Sequence, residues 1–151
     1  MRKILIATDG SPAALHAVEL GLELADEQHA EPTFVHVAPD LDVLPVTGFG
    51  MGGPVSVPHE LADEDRSSLD EALELAEERG IFARTKLLTG DPAGKIVAYA
   101  DEIDADLIVV GSRGLGKIGS ALLGSVSHKL LHHATRPVMV VRAVEQAVPV
   151  A

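Results

Sequence analysis

The sequence predicts an α/β fold: a single-domain, open, doubly wound sheet of five parallel strands with helices on both faces. Short β-branched runs alternate with longer segments in which apolar residues recur every three or four positions. The strand runs are nearly continuously apolar, as expected of parallel strands that are covered on both faces. At 151 residues the chain has the length of one domain with one core. These observations together favour parallel strands joined by helical crossovers.

The elements alternate in order along the chain. A first strand at 3–8 is followed by Ser11 as a helix N-cap and Pro12 as the first helical residue. The strands predicted after it are 33–38, 83–88 (an edge strand), 106–110 and 138–142. The helices predicted after the first are one at about 59–79, one that starts at Asp91-Pro92, and one from Ser125 as its cap to about 134.

Two segments fall outside this alternation. Residues 39–58 hold three prolines and four glycines after Pro39, which predicts a long loop of the binding or lid type. We place the domain at 1–143 and treat 144–151 as a C-terminal tail.

Composition and charge exclude several classes of function. The formal net charge of −11 opposes binding to nucleic acid or to an anionic membrane, because phosphate contacts need a basic face. There is no cysteine, so disulfides and thiolate chemistry are excluded. No apolar run approaches the ~20 residues of a membrane span. We therefore expect a cytoplasmic protein that binds neither nucleic acid nor membrane.

The glycine-rich segment 111–125 is the most informative part of the chain. It follows a predicted buried strand and leads into a predicted helix. Glycine lets the backbone approach an anion closely, and N–H groups at a helix N-terminus direct partial positive charge at it. In a doubly wound sheet this segment also lies at the carboxyl ends of the strands, where ligands bind. The segment predicts a nucleotide site.

Two familiar phosphate motifs can be drawn through this segment, and both fit poorly. The glycines at 114, 116 and 119 match a dinucleotide fingerprint, but they follow the fourth strand of the fold rather than the first. Gly111, Gly116 and Lys117 approach a Walker A loop, but Ile118 stands where Ser or Thr would bind magnesium. Neither motif is adopted.

A third spacing, Gly111-x-x-Gly114, nine residues, then Gly124-Ser125, resembles the universal stress protein family. The likeness extends from Lys3 to Arg142 and includes Thr8-Asp9-Gly10-Ser11 after the first strand. Within that family this glycine pattern marks the ATP-binding subgroup. The resemblance implies the adenine nucleotide alpha hydrolase-like, Rossmann-like form of the predicted sheet.

The resemblance also implies which residues bind ATP, with Mg²⁺ carried by its phosphates. These are Ala7, Thr8, Asp9, Val37, Val110, Gly111, Arg113, Gly114, Gly124, Ser125, Val126 and Ser127. The glycines would admit ribose and triphosphate, and the helix start with its two serine hydroxyls would hold phosphate. The backbone of Val37 would meet adenine, and Asp9 would contact ribose or a magnesium-bound water. Asp9 is equally typical of a helix entry, and Arg113 either reaches phosphate or points into solvent.

The function implied is that of a nucleotide-responsive homodimer in the stress response that acts through conformation or through binding of a protein partner that the sequence does not name. The dimer would pair through the last strand, 138–142; the alternative is that the C-terminal tail covers this strand. We expect ATP hydrolysis far below the ~10 s⁻¹ median of enzymes. An adenylyl-transferring or ATP-pyrophosphate-splitting enzyme of the related adenine-binding group, and a nucleotide-free interaction module, are the alternatives. ATP and cyclic AMP are not distinguished.

The histidines are assigned no catalytic or metal role. His128 and His132 are one helical turn apart, with His133 adjacent, but a metal site needs a third ligand. His36 lies in a predicted strand, where a hydrogen-bonded core histidine is the expected state.

Overall fold

Five parallel strands form the main sheet and two short antiparallel strands form a separate hairpin. The protein is represented by a computed structural model, and the structure describes residues 1–44, 53–112 and 123–142. The strands are β1 (Lys3–Ala7), β2 (Glu31–Ala38), β3 (Leu41–Leu44), β4 (Val55–Pro58), β5 (Arg84–Thr89), β6 (Leu107–Gly111) and β7 (Val138–Val141). The helices are α1 (Pro12–Gln28), α2 (Asp63–Glu78), α3 (Pro92–Glu102) and α4 (Ser125–His133).

The main sheet has the order β5-β2-β1-β6-β7, and all of its pairings are parallel. The predicted fold class, an α/β domain with a five-stranded parallel sheet flanked by helices, is therefore confirmed. β5 lies at one edge, as predicted, and β7 lies at the other.

Alternate residues of the strands supply two apolar cores, one on each face of the sheet, rather than the one core expected from the length of the chain. Ile4, Ile6 and Phe34 point to the face covered by α1 and α2. Leu5 and Val35 point to the face covered by α3 and α4. Side chains of a strand point alternately to the two faces, which is why a continuously apolar strand such as β1 fills both cores.

The predicted starts of α1 and α3 are confirmed by their capping bonds. Ser11 Oγ accepts a hydrogen bond from the Ala14 N–H at 3.3 Å, and Asp91 accepts one from the Gly94 N–H at 2.9 Å. Proline occupies the first helical position in both, where its missing N–H is not needed. On α3, Tyr99 packs against the second core, with Lys86 Nζ 5.6 Å from its ring centroid.

The prediction of a long loop over the whole of 39–58 is wrong at both of its described ends. β3 and β4 pair in antiparallel register, from Leu41 opposite Pro58 to Leu44 opposite Val55. Each strand is only four residues long, and the glycines and prolines between them dominate the composition of the segment.

Two helix starts also differ from their predictions. α2 begins at Asp63 rather than near 59, and its N-cap, Ala62, offers no side-chain oxygen; Asp65 accepts from the Ala62 N–H instead, at 2.8 Å. Ser125 is the first residue of α4, and Gly124 occupies the N-cap position that we assigned to the serine. The other predicted bounds agree with the structure to within two residues.

Candidate functional site

The carboxyl edge of the sheet brings together predicted site residues from three strands. β1 pairs with β2 on one side and with β6 on the other, so the strand order reverses at β1. In open α/β sheets ligands bind beyond the carboxyl ends of the strands at such a reversal. Residues at these strand ends are Ala7, Thr8, Asp9, Val37, Val110 and Gly111. The structure therefore gathers the predicted residues of β1, β2 and β6 at one edge.

Thr8 is buried, and both its backbone N–H and its backbone carbonyl are hydrogen-bonded. Its N–H donates to the Val35 carbonyl at 2.9 Å, and its carbonyl accepts from His36 Nδ1 at 2.9 Å. Because a carbonyl only accepts, His36 carries a proton on Nδ1. His36 is thus a half-buried, hydrogen-bonded residue that joins β2 to the end of β1.

Asp9 and Gly10 form the tight turn between β1 and α1. Asp9 Oδ1 accepts from the Ser11 N–H at 2.9 Å, and Gly10 has a φ of +78°, which favours glycine. This contact is the helix-entry role that the sequence left open for Asp9. The turn also places Asp9 at the carboxyl edge of the sheet, one residue beyond buried Thr8.

Gly111 has a packing reason to be glycine. A Cβ at this position would lie 2.8 Å from the Ala13 carbonyl carbon and 2.9 Å from the Ala14 nitrogen, both backbone atoms of α1. Backbone of a packed helix cannot move aside as a flexible side chain can. The close approach of α1 to the end of β6 therefore requires glycine here whether or not a ligand binds.

The start of α4 is attached to the end of β6 by polar contacts. The Gly124 N–H donates to the Ser112 carbonyl, and the Ser112 N–H donates to the Val141 carbonyl at 2.8 Å. The buried Ser127 hydroxyl lies 3.3 Å from the Ser112 carbonyl and 3.0 Å from that of Gly124. This hydroxyl already has acceptors within the protein, so it is a structural donor in this arrangement.

The backbone of α4 still supplies donors at the carboxyl edge. The helical ladder starts where the His128 N–H donates to the Gly124 carbonyl at 3.0 Å, so the N–H groups of Ser125, Val126 and Ser127 precede it. The first N–H groups of a helix have no partner within the helix, and the dipole makes this end positive. Such an end suits an anion.

Two predicted site residues, Arg113 and Gly114, lie outside the described residues. A groove between α3 and α4, lined in part by Asp91, Val97, Lys129 and His133, includes none of the predicted binding residues. In the described ranges no group of three or more histidine, aspartate or glutamate side chains is arranged so that it could hold a metal ion.

The opposite, amino edge of the sheet holds ionic contacts that explain several pKa shifts. Arg136 donates to Asp101 at 3.0 Å, and this bond, with one from Thr135, lowers the pKa of Asp101 below its ordinary range. Asp106 accepts from the N–H groups of Arg2 and Lys3, which lowers its pKa likewise. These groups tie β1, α3 and the segment before β7 together, and we read them as structural.

Sequence reasoning missed a three-residue ionic cluster beside the hairpin. His59, after β4, lies between Asp42 of β3 and Asp65 of α2, with 2.9 Å from each ring nitrogen to a carboxylate oxygen. Its only sequence signal is that Asp65 stands three residues after the α2 cap, and that signal does not reveal the histidine between the carboxylates.

The family of universal stress proteins matches residues 1–142 of the chain. The chain belongs to this family. A Bacillus subtilis relative, universal stress protein YxiE, is 39% identical over 148 residues, which span 93% of this chain and 98% of the relative.

Two solved structures of universal stress proteins carry adenine nucleotides and share the fold. One is a complex with cAMP, at a TM-score of 0.69 and 25% identity, covering 95% of this chain and 98% of its own. The other, from Archaeoglobus fulgidus in complex with dAMP, has a TM-score of 0.67 and 26% identity, covering 93% of this chain and 98% of its own. Among the helices in the described ranges, none is long and apolar enough to cross a membrane.

Proposed function

We propose that this universal stress protein binds ATP at the carboxyl edge of the sheet and acts as a nucleotide-responsive homodimer in the stress response. One observation carries the proposal: β1, β2 and β6 end side by side at the reversal of strand order, and the start of α4 is hydrogen-bonded to Ser112 just beyond β6. The adenine nucleotides held by two relatives of the same fold support the choice of ligand.

Each part of the nucleotide has a matching group at this edge. Phosphate oxygens accept from the N–H groups at the start of α4, where the helix dipole offsets part of the chain's overall charge of −11. The backbone of Val37 contacts the adenine ring. Asp9 contacts the ribose or a water molecule on the phosphate-bound Mg²⁺. Arg113 and Gly114 complete the set in this proposal.

The protein binds ATP rather than turning it over. Ile118 follows Lys117 where a Walker A motif has the magnesium-binding hydroxyl, so the chain lacks that ligand in the glycine segment. Phosphoryl transfer depends on positioning and on groups that neutralise the developing charge. We therefore propose hydrolysis that is slow at most, with nucleotide state read out through conformation or partner binding.

The homodimer forms through β7. This strand is the edge of the sheet beside β6, and its residues Val138, Met139 and Val140 are only half-buried. An apolar edge strand invites pairing with another strand, and a twofold copy supplies one. Light scattering of the wild-type protein and of Met139→Lys, which places a charge in the strand, tests this: the wild type is expected to be a dimer and the variant to shift toward monomer. A monomeric wild type contradicts it.

A nucleotide-free interaction module is the second candidate, and the close approach at Gly111 favours it. Packing against Ala13 is enough to explain why residue 111 is glycine. Gly111, one of the two glycines in Gly111-x-x-Gly114, is therefore not evidence for a ligand. The deciding residue is then Gly124, whose φ of −72° and ψ of 165° suit any side chain.

The test is to denature freshly purified protein, identify any released nucleotide by chromatography, and titrate the stripped protein with ATP by calorimetry. We expect binding in the micromolar range that Gly124→Val abolishes, because a side chain at the α4 start fills the approach of the phosphates. Ala98→Val, which adds the same kind of bulk on an exposed position of α3, is the matched control and should bind normally.

Normal ATP binding by Gly124→Val contradicts the placement of the phosphates. No released nucleotide and no binding by the wild type contradicts the ligand itself and leaves the interaction module. Pyrophosphate release with candidate acceptors would favour the adenylyl-transferring enzyme instead.

A further inference from the structure

His59 connects the β3–β4 hairpin to the start of α2. Its Nδ1 lies 2.9 Å from both carboxylate oxygens of Asp42 on β3, and its Nε2 lies 2.9 Å from Oδ2 of Asp65 on α2. The His59 side chain is 16% exposed and that of Asp65 is 11% exposed, whereas that of Asp42 is 43% exposed, so the contact with α2 is better shielded from water than the contact with β3. Because His59 directly follows β4, its contact with Asp42 lies within the hairpin, and its contact with Asp65 joins the hairpin to α2.

The geometry requires a proton on each ring nitrogen. A neutral imidazole has one N–H and one lone pair, whereas ionised carboxylates only accept. With a carboxylate on either side, only the imidazolium donates to both. Loss of one proton leaves a ring lone pair facing a carboxylate lone pair, and one of the two contacts must separate.

Asp65 is the fixed side of this cluster. The same Oδ2 that contacts His59 accepts from the Ala62 N–H at 2.8 Å, which holds the carboxylate in the first turn of α2. A carboxylate there also interacts favourably with the positive end of the helix. When the cluster opens, the hairpin side is therefore the side that moves.

Among the residues that the structure describes, few other contacts hold the hairpin against the rest of the fold. Its residues Leu41, Val43, Leu44 and Val55 are all exposed, so apolar burial holds it only weakly. A lone two-stranded hairpin is at best marginally stable in water. The His59 N–H also donates to the Asp40 carbonyl at 2.8 Å, which extends the hairpin by one hydrogen bond without attaching it to α2.

We propose that His59 is a protonation-dependent latch: the imidazolium holds the β3–β4 hairpin against the start of α2, and the neutral ring releases it. The charged and titratable groups around it are Asp42 from β3, Asp65 from α2 and, acting on Asp65 through its charge, His36 from β2.

The pKa shifts set the direction of the switch. Hydrogen bonding to Asp65, then to Asp42, raises the pKa of His59 above its ordinary value of 6.5. The Ala62 N–H, then His59, lowers the pKa of Asp65 below its ordinary value of 3.8. A histidine whose pKa is raised by folding contributes its full stabilisation below its unfolded pKa, and this is lost as pH rises through its folded pKa. An aspartate whose pKa is lowered by folding contributes its full stabilisation above its unfolded pKa, and this is lost as pH falls through its folded pKa. The latch is therefore fully closed between about pH 3.8 and 6.5 and opens as pH rises through the folded pKa of His59.

The latch lies next to the proposed nucleotide edge. β3 begins three residues after Ala38, the last residue of β2, and Val37 is one of the proposed adenine contacts. A released hairpin changes access to that end of β2. This coupling to nucleotide rests on the proposed function, whereas the latch itself rests on the His59 cluster.

Hydrogen exchange of hairpin peptides over 41–44 and 55–59, read by mass spectrometry and corrected for intrinsic exchange at each pH, tests the latch. In the wild type we expect protection that is constant between about pH 3.8 and 6.5 and falls above that range, with up to about a tenfold change for each unit by which the pKa of His59 is raised. His59→Gln should be unprotected at every pH. Asp42→Asn should move the midpoint of the transition to lower pH.

His16→Gln is the matched control, because His16 lies on α1 and pairs with Glu19 rather than with the hairpin. It should behave as the wild type. His59→Gln leaves His36 in place, so a pH transition that persists in that variant belongs to His36 and overturns the proposal. Wild-type protection that does not change with pH also overturns it, as does a hairpin that stays protected in His59→Gln.

ATP titrations at about pH 6 and about pH 8.5, on either side of the ordinary histidine range, test the coupling separately. Because the terminal phosphate of ATP itself loses a proton in this range, His59→Gln gives the change in affinity that is due to ATP alone, and the change for the wild type should exceed it. If ATP binds neither protein at either pH, the proposed function fails while the exchange data still decide the latch.

Discussion

The parallel sheet and the β3–β4 hairpin are held in place by opposite means. Every residue of β6 is buried, and helices cover both faces of the sheet. The hairpin leaves its apolar residues in water, with Val43 66% exposed, and contacts α2 through one histidine between two carboxylates. The sheet is stabilised by burial, which is nearly independent of pH. The hairpin depends on a proton, so the two regions are expected to respond to different conditions.

Of the substitutions that test this comparison, removal of a buried aromatic ring should have the largest effect on the free energy of unfolding. Phe34→Ala empties a fully buried position of β2 and should lower the free energy of unfolding by about 3–5 kcal/mol. Phe82→Ala removes the same ring from a side chain that is 78% exposed and should change it by no more than about 0.5 kcal/mol. Urea unfolding of both variants measures the difference, and similar losses would mean that the two-core description is wrong.

A methyl group at the junction of α1 and β6 should have the next largest effect. Gly111→Ala places Cβ against the backbone of Ala13 and should destabilise the fold by about 1–3 kcal/mol, the usual cost of overpacking. Gly53→Ala adds the same methyl where nothing lies within 4 Å and has no such cost. Thermal unfolding without nucleotide separates this packing effect from any loss of ligand. An unchanged Gly111→Ala would return that glycine to a purely ligand-related role.

The smallest effect is expected on the hairpin surface. Val43→Ala should alter global stability by less than about 0.5 kcal/mol, because the side chain is exposed. Val35→Ala makes the same change in buried β2 and should cost about 1.6 kcal/mol from the burial of the two lost methyl groups alone. Chemical unfolding compares the pair. A large cost at Val43 would show that the outer face of the hairpin is covered, for example in a dimer.

The sheet was predictable because its signals are local. β1 and β6 are continuous apolar runs, and the Ser11-Pro12 and Asp91-Pro92 pairs mark helix starts whose capping bonds the structure contains. The hairpin was not predictable by the same means. Each of its strands is four residues long, and the glycines and prolines between them indicate a loop.

The candidate site divides in the same way. Strand order alone places Thr8, Asp9 and Val110 at one edge, and the glycine spacing indicates what they could hold. The packing role of Gly111 depends on the distance between α1 and β6, and the His59 cluster depends on how the hairpin meets α2. Neither distance can be read from residue types along the chain, so both required the structure.

Tyr99 gives the molecule an optical label in one of the two regions only. It is the single tyrosine of a chain without tryptophan, and its phenol packs against the core beneath α3 and α4. Intrinsic fluorescence therefore comes from the helix-covered sheet, and it should follow loss of that core while the hairpin opens without a signal. A fluorescence melt thus reports the stability of the sheet, and the low protein absorbance near 280 nm leaves the ultraviolet band of a bound adenine easy to see.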